Sequence, residues 1–143
     1  MQYSSVTEIL GGKKLLGRDI SGRFDMVELG GDGIRKAAVS HLAGWLSLSW
    51  REMAVLLPVT ERTLQRYGPQ KKLGRPVSEQ ALQIAEVAAA GAETFGSREK
   101  FLAWLGAPSA ALGGRRPLEL LGSRFGAELV RDELGRIAHG IPA

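Results

Sequence analysis

The stretch SWREMAVLLPVTERTLQRY, residues 49–67, decides the fold. Ser49 and Glu52 stand in the order of a capping box, in which each side chain takes up a backbone N–H left free at a helix start. Met53, Ala54, Leu56 and Leu57 then give a helix of about two turns its apolar side. Pro58 stops that helix, because its ring removes a backbone donor and disfavours helix at the preceding residue. Thr60 is a second good cap, and a further short helix follows over residues 61–66. Two capped helices joined by a tight turn are the layout of a helix-turn-helix, whose first helix braces across the phosphate backbone while the second enters the major groove. Leu64 is predicted to point inward onto Ala54 and Leu57. Thr60, Glu61, Arg62, Thr63, Gln65 and Arg66 then face out. Arginine can reach guanine, glutamine adenine, and threonine a base edge or a phosphate. The same spacing also describes an ordinary helical hairpin on a basic surface.

The charge distribution favours the first of these readings. The chain carries a net +4. Residues 1–80 hold twelve Lys/Arg against eight Asp/Glu, whereas residues 81–143 hold seven of each. Arg62, Arg66, Lys71, Lys72 and Arg75 follow one another with no acidic residue between them. Such a block attracts a polyanion, because each phosphate it neutralises releases a condensed counterion. Lys71, Lys72 and Arg75 are expected to track the backbone beside the second helix.

Working outward, Ile34, Ala37, Ala38, His41, Leu42 and Trp45 recur at helical spacing and predict a helix that ends near Leu46. His41 on that face is expected to be a satisfied core histidine. Ser78 is taken as a third cap. The helix behind it is apolar over more than one face, through Ala81, Leu82, Ile84, Ala85, Val87 and Ala88, which predicts burial between two halves. Ser97 caps another helix up to Leu105, and Pro117 suits the first turn of a short one. A last helix is expected over residues 123–138, with Phe125, Leu129, Leu134 and Ile137 inward. The first 32 residues, punctuated by glycine, read as an arm with one helix over residues 5–16. Only FDMVEL, residues 24–29, has the composition of a strand. The fold class is therefore all-α: a helix-turn-helix bundle over residues 33–95, preceded by the arm and followed by a small helical domain over residues 96–143.

Several function classes drop out. There is no cysteine, so disulfides and thiolate metal sites are excluded. His41 and His139 stand far apart, without metal-ligand spacing. His139 ends the last helix, where a cation favours the dipole. Gly12-Lys13-Lys14 lacks the remaining positions of a phosphate loop, and Gly31-Asp32-Gly33 lacks the third glycine of a dinucleotide fingerprint. No run approaches the ~20 apolar residues of a membrane span, and residues 1–10 lack the blocks of a secretory signal. The expectation is a cytoplasmic, non-enzymatic protein without cofactor or metal. A helix-turn-helix reader is also expected to pair as a homodimer to match two half-sites.

The rear half offers an apolar, loop-rich stretch with Phe101, Leu102, Trp104, Leu105, Leu112, Gly113, Gly114, Arg115, Arg116, Pro117 and Leu118. Tryptophan and arginine beside a rigid loop suit a protein-binding hot spot. Trp104 and Leu112 can equally fill a small core, and for Trp104 the core reading is preferred.

The run from Phe95 to Leu121, FGSREKFLAWLGAPSAALGGRRPLELL, resembles the toxin-binding domain of the Xre/MbcA/ParS antitoxin family, as do GAELV at residues 126–130 and LGRIAHG at residues 134–140. Upstream, LGGKKLLGR (residues 10–18) and TERTLQR (residues 60–66) look like the family's Xre-type front half. The resemblance implies a type II antitoxin. Its front half would bind the operon's own promoter as a repressor. Its rear would bind and neutralise a cognate toxin, commonly of the NAD-consuming RES class, with the C-terminal end lying against the toxin's active site. Carried over position by position, the implied toxin-binding residues are Trp104, Leu112, Gly113, Gly114, Arg115, Pro117, Arg136, Ile137, His139 and Gly140. Arg115 and Arg136 are expected to make charged contacts, with the toxin or within the domain. Gly113 and Gly114 are expected to fix a turn. The alternative is a plain helix-turn-helix regulator whose C-terminal region only dimerises.

Overall fold

The computed structural model describes residues 2–140. They form nine α-helices and two 3-10 turns, with no strand among the described residues. In chain order the helices are α1 (Gln2–Ile9), α2 (Gly12–Leu16), α3 (Arg23–Asp32), α4 (Lys36–Trp45), α5 (Trp50–Val55), α6 (Glu61–Arg66), α7 (Arg75–Phe95), α8 (Arg98–Leu105) and α9 (Arg124–Ala138). The 3-10 turns, Ala110–Leu112 and Pro117–Leu120, lie between α8 and α9.

The fold is built around α7, against which α1, α3, α8 and α9 all pack. Its Ala81, Leu82, Ile84, Ala85, Val87, Ala88 and Ala89 are all buried, as expected of a helix apolar on several sides. Its start differs from the sequence expectation. Gly74 is the cap, and Pro76 sits in the first turn, where a missing N–H costs nothing. Ser78 lies one turn inside and is fully buried. Its hydroxyl accepts from the Ile34 N–H at 3.0 Å and donates to the Leu73 carbonyl at 3.0 Å, tying the entrances of α4 and α7 together.

The first 32 residues are three helices rather than an arm with one. Val6, Ile9, Leu10, Leu16, Ile20 and Leu29 all enter the main core. The buried Thr7 hydroxyl donates to the Tyr3 carbonyl and accepts from the Ile20 N–H, tying α1 to the segment before α3, and the Gly11 and Gly17 N–H groups close the turns after α1 and α2 onto the Glu8 and Lys13 carbonyls. The strand-like FDMVEL is helical, within α3. Asp25 accepts from the Ser21 N–H and hydroxyl at 2.8 and 2.9 Å and pairs with Arg18. These donors, the Ser21 backbone first, hold its carboxyl below the usual aspartate range.

The last helix also faces differently from its bulky residues. Gly126, Ala127, Val130 and Leu134 are buried, whereas Phe125 and Leu129 are 72% and 52% exposed and Ile137 is half-buried. Small residues let α9 lie close on α7. At Gly126 an added Cβ would stand 1.9 Å from the Leu120 carbonyl oxygen. The Gln80 amide donates to the Leu121 carbonyl at 2.6 Å and fixes the same junction from α7. Gly91 plays a similar part toward α8, since a Cβ there would meet the Phe101 ring at 2.1 Å.

Candidate nucleic-acid and partner-binding surfaces

The helix-turn-helix forms by the local devices read in its sequence. The Ser49 side chain accepts from the Glu52 N–H, and the Glu52 carboxylate accepts from the Ser49 N–H at 2.9 Å. Those Ser49 donors hold the Glu52 carboxyl below its ordinary range. The Thr60 hydroxyl accepts from the Thr63 N–H at 3.1 Å and so caps α6. Leu64 is completely buried and points inward. That leaves Arg62, Gln65 and Arg66 exposed, with Glu61 and Thr63 half-buried. Thr60 is exposed, but its oxygen is engaged as the cap, and Glu61 accepts from the Gln65 amide at 3.2 Å. Arg62, Arg66, Lys72 and Arg75 make no ion pair among the described residues.

The loop after α6 is held rather than loose. The Ala37 and Lys36 N–H groups donate to the carbonyls of Pro69 and Lys71, and the Leu73 N–H donates to the Ile34 carbonyl. These bonds fasten the exposed Lys71 and Lys72 to the start of α4. The Lys71 ammonium sits 5.4 Å from the centre of the Tyr67 ring. Lys36, which did not stand out in the sequence, donates to the Tyr67 carbonyl at 2.7 Å and lies 5.4 Å from the Trp50 ring centre. His41 is exposed rather than buried in the core, and its Nδ1 lies 2.8 Å from the Ile9 carbonyl.

In the rear half, Trp104 is half-buried in a ring cluster with Phe95 and Phe101, at centroid distances of 5.6 and 6.2 Å. Trp45 of α4 joins the cluster through Phe101, and Arg98 spans the same junction. Its guanidinium donates to the Trp45 carbonyl at 2.6 Å and to the Ser47 hydroxyl at 2.9 Å. Among the described residues Ser47 is the non-glycine residue in the left-handed region, so Arg98 also steadies a strained turn. Leu112 and Pro117 are buried. Gly113 and Gly114 take φ of +70° and +78° in a tight loop, closed by the Ser109 N–H to the Arg115 carbonyl and the Gly114 N–H to the Ser109 carbonyl. Arg115 projects from this loop, exposed.

At the other end of the domain, Arg136 pairs at 2.8 Å with Glu133, whose side chain is 1% exposed. His139 is exposed, with Nδ1 2.7 Å from the Gly135 carbonyl, and Gly140 ends the helix at φ +71°. Residues 141–143, where the obstructing end was expected, lie outside the described residues. Of the ten carried-over positions, Trp104, Leu112 and Pro117 shape the domain from inside, and Arg115, Arg136, His139 and Gly140 reach solvent. The exposed Phe125 and Leu129 escaped the sequence reading, which had assigned them to the core.

Two family models match the chain, one after the other. Residues 25–86 match the antitoxin Xre-like helix-turn-helix domain, and residues 90–140 match the antitoxin Xre/MbcA/ParS C-terminal toxin-binding domain. The chain belongs to the Xre/MbcA/ParS antitoxin family. Among solved structures, this antitoxin is similar to a chain in the crystal structure of the M. tuberculosis MbcT-MbcA toxin-antitoxin complex. The two are 21% identical, the match covers 76% of this chain and 96% of that one, and the TM-score is 0.56, which speaks for a common fold. No curated protein matches the antitoxin in sequence. No helix among its described residues is long and apolar enough to cross a membrane, and none of those residues form a metal-binding cluster of His, Cys, Asp or Glu.

Proposed function

We propose that this antitoxin neutralises a cognate RES-type, NAD-consuming toxin by docking near its active site, and that it represses its own promoter as a cytoplasmic homodimer. It acts by occupancy and has no catalysis of its own. The observation that carries the reading is the pairing of a toxin-binding domain with a helix-turn-helix whose Arg62 and Arg66 are exposed and make no ion pair among the described residues. The toxin-facing surface combines Arg115, Arg136 and His139 with the outward Phe125 and Leu129 of α9, which lie within the matched toxin-binding segment. An apolar pair that solvent would otherwise wet is the kind of anchor around which protein interfaces form.

Co-expression with the adjacent reading frame tests the partner. A RES-type protein that co-purifies in stoichiometric amount, and whose NAD consumption falls in the complex, supports the proposal. A neighbour that neither binds nor is inhibited returns the chain to the alternative, a regulator whose rear half only dimerises. Promoter binding is tested by Arg62→Ala and Arg66→Ala in a gel shift with the upstream sequence. Either change is expected to weaken binding, and where the lost contact is to a phosphate the salt slope falls by about one. Unchanged binding in both variants removes α6 from the reading role.

A further inference from the structure

Beside α6 lies an open groove of about 320 Å³ that no residue of α6 lines. Its walls are Lys36, Ala37 and Ser40 of α4, Trp50 of α5 and Pro69 of the following loop. Lys36 is held there from two sides, by the Tyr67 carbonyl at the end of α6 and by the face of the Trp50 ring. The carbonyl takes one of the three ammonium donors and leaves two. The Ser40 hydroxyl is exposed and has no partner among the described residues. No carboxylate lines the groove, and the carboxylate of nearby Glu52 is turned back onto the Ser49 N–H. Lys71, in the loop that also carries Lys72, lies over the ring of Tyr67 and adds positive charge beside the carbonyl partner of Lys36.

We infer that this groove seats one phosphate of the DNA backbone, with Lys36 as its cation and Ser40 as a second donor. The inference rests on the promoter-binding reading and adds to it a contact outside the recognition helix. A lysine whose stem is already confined by a ring and a carbonyl loses little further freedom on meeting a phosphate, so it acts as a preorganised point contact. Because its carbonyl partner belongs to Tyr67, the residue that ends α6, a phosphate bound here fixes how far α6 sits along the major groove of the DNA. Contacts of this kind set register and carry no sequence information.

The full-length protein is titrated with two duplexes of equal length, one carrying its upstream region and one unrelated, between about 50 and about 200 mM salt. Lys36→Gln removes the charge while keeping a donor for the Tyr67 carbonyl, and Lys36→Arg keeps the charge. Lys36→Gln is expected to weaken binding to both duplexes by the same factor. It should also lower the slope of log K against log salt by about 0.9, which makes affinity about 3.5-fold less sensitive over that salt range. Lys36→Arg should restore the slope, and both variants should melt like the wild type. A wild-type slope in Lys36→Gln overturns the inference, as does a loss confined to the upstream duplex. If the unaltered protein binds neither duplex, the promoter reading itself fails. If it prefers the upstream duplex and loses that preference in Arg62→Ala while Lys36→Gln keeps the full slope, only the phosphate seat falls.

Discussion

Two glycines of α9 predict opposite responses to the same methyl group. In Gly126→Ala the new Cβ would lie 1.9 Å from the Leu120 oxygen and 2.8 Å from its carbonyl carbon. Both atoms are backbone and belong to the second 3-10 turn, so no rotamer change relieves the contact. The start of α9 must lift away from that turn, loosening the Gln80 bond to Leu121 and the seat of Ala127 on α7. Overpacking of this kind costs about 1–3 kcal/mol, against a gain in helix propensity of at most ~1 kcal/mol. In Gly135→Ala the added methyl meets nothing within 4 Å, so only the propensity gain remains, about 0.5–1 kcal/mol. The two variants should therefore differ by roughly the overpacking cost, about 1–3 kcal/mol. At about 3–4 °C per kcal/mol for a chain of this size, that separates their melting temperatures by roughly 3–12 °C, with the wild type between them. Thermal melts followed by circular dichroism at one pH and salt concentration measure the difference, and propensity largely cancels in the comparison. Equal melting temperatures, or a more stable Gly126→Ala, would refute the close approach of α9 to the turn before it.

Other outcomes follow from single contacts. Ser78→Ala leaves the Ile34 N–H and Leu73 carbonyl without a buried partner and should cost about 1–3 kcal/mol; urea melts give the loss, and faster amide exchange at Ile34 locates it. Arg136→Ala strands the buried Glu133 carboxylate and should cost about 1–2 kcal/mol, a loss moderated by the exposure of Arg136. Glu133→Gln in the same chain should recover most of it, and a denaturation cycle over the four proteins measures the coupling. The Ser49 donors lower the Glu52 carboxyl in the folded state relative to the unfolded one. Its stabilising contribution is therefore complete above the ordinary glutamate value of ~4.3 and drains away as the pH falls through the lower folded value. Melting temperatures from neutral to acid pH should fall less steeply in Glu52→Gln than in the wild type, and parallel curves would sever the link.

The parts of the fold legible in the sequence are those governed by neighbours along the chain. Ser49 with Glu52, Thr60 and Ser97 all cap the helices they were expected to cap, because a cap is settled within four residues. Ser78 misled because its hydroxyl bonds to Ile34, far away in sequence, while the true start lies at Gly74. Residues 1–32 misled for a related reason. Helices as short as α1 and α2 are marginal alone and exist through packing, which glycine counts do not register. On α9 the bulky residues were sent inward, yet the close approach to the preceding 3-10 turn requires Gly126, and Ala127 and Val130 take the buried face, so Phe125 and Leu129 are displaced to the outside. His41 bonds to Ile9, in the segment read as an arm, so neither its exposure nor its partner could be foreseen. In the candidate site the cationic block from Arg62 to Arg75 is plain from composition. Lys36 is not, because its neighbours Trp50 and Tyr67 come from other helices.

The boundary between the two family matches, between residues 86 and 90, falls inside α7, which runs unbroken from Arg75 to Phe95. At 1.5 Å per residue that helix is a ruler of about 30 Å, and it sets the angular phase as well as the spacing of whatever is mounted on its two ends. One residue inserted near Val87 would swing the rear mount by about 100° relative to the front. Any relative of this molecule that lengthens the ruler is under pressure to do so in near-whole turns.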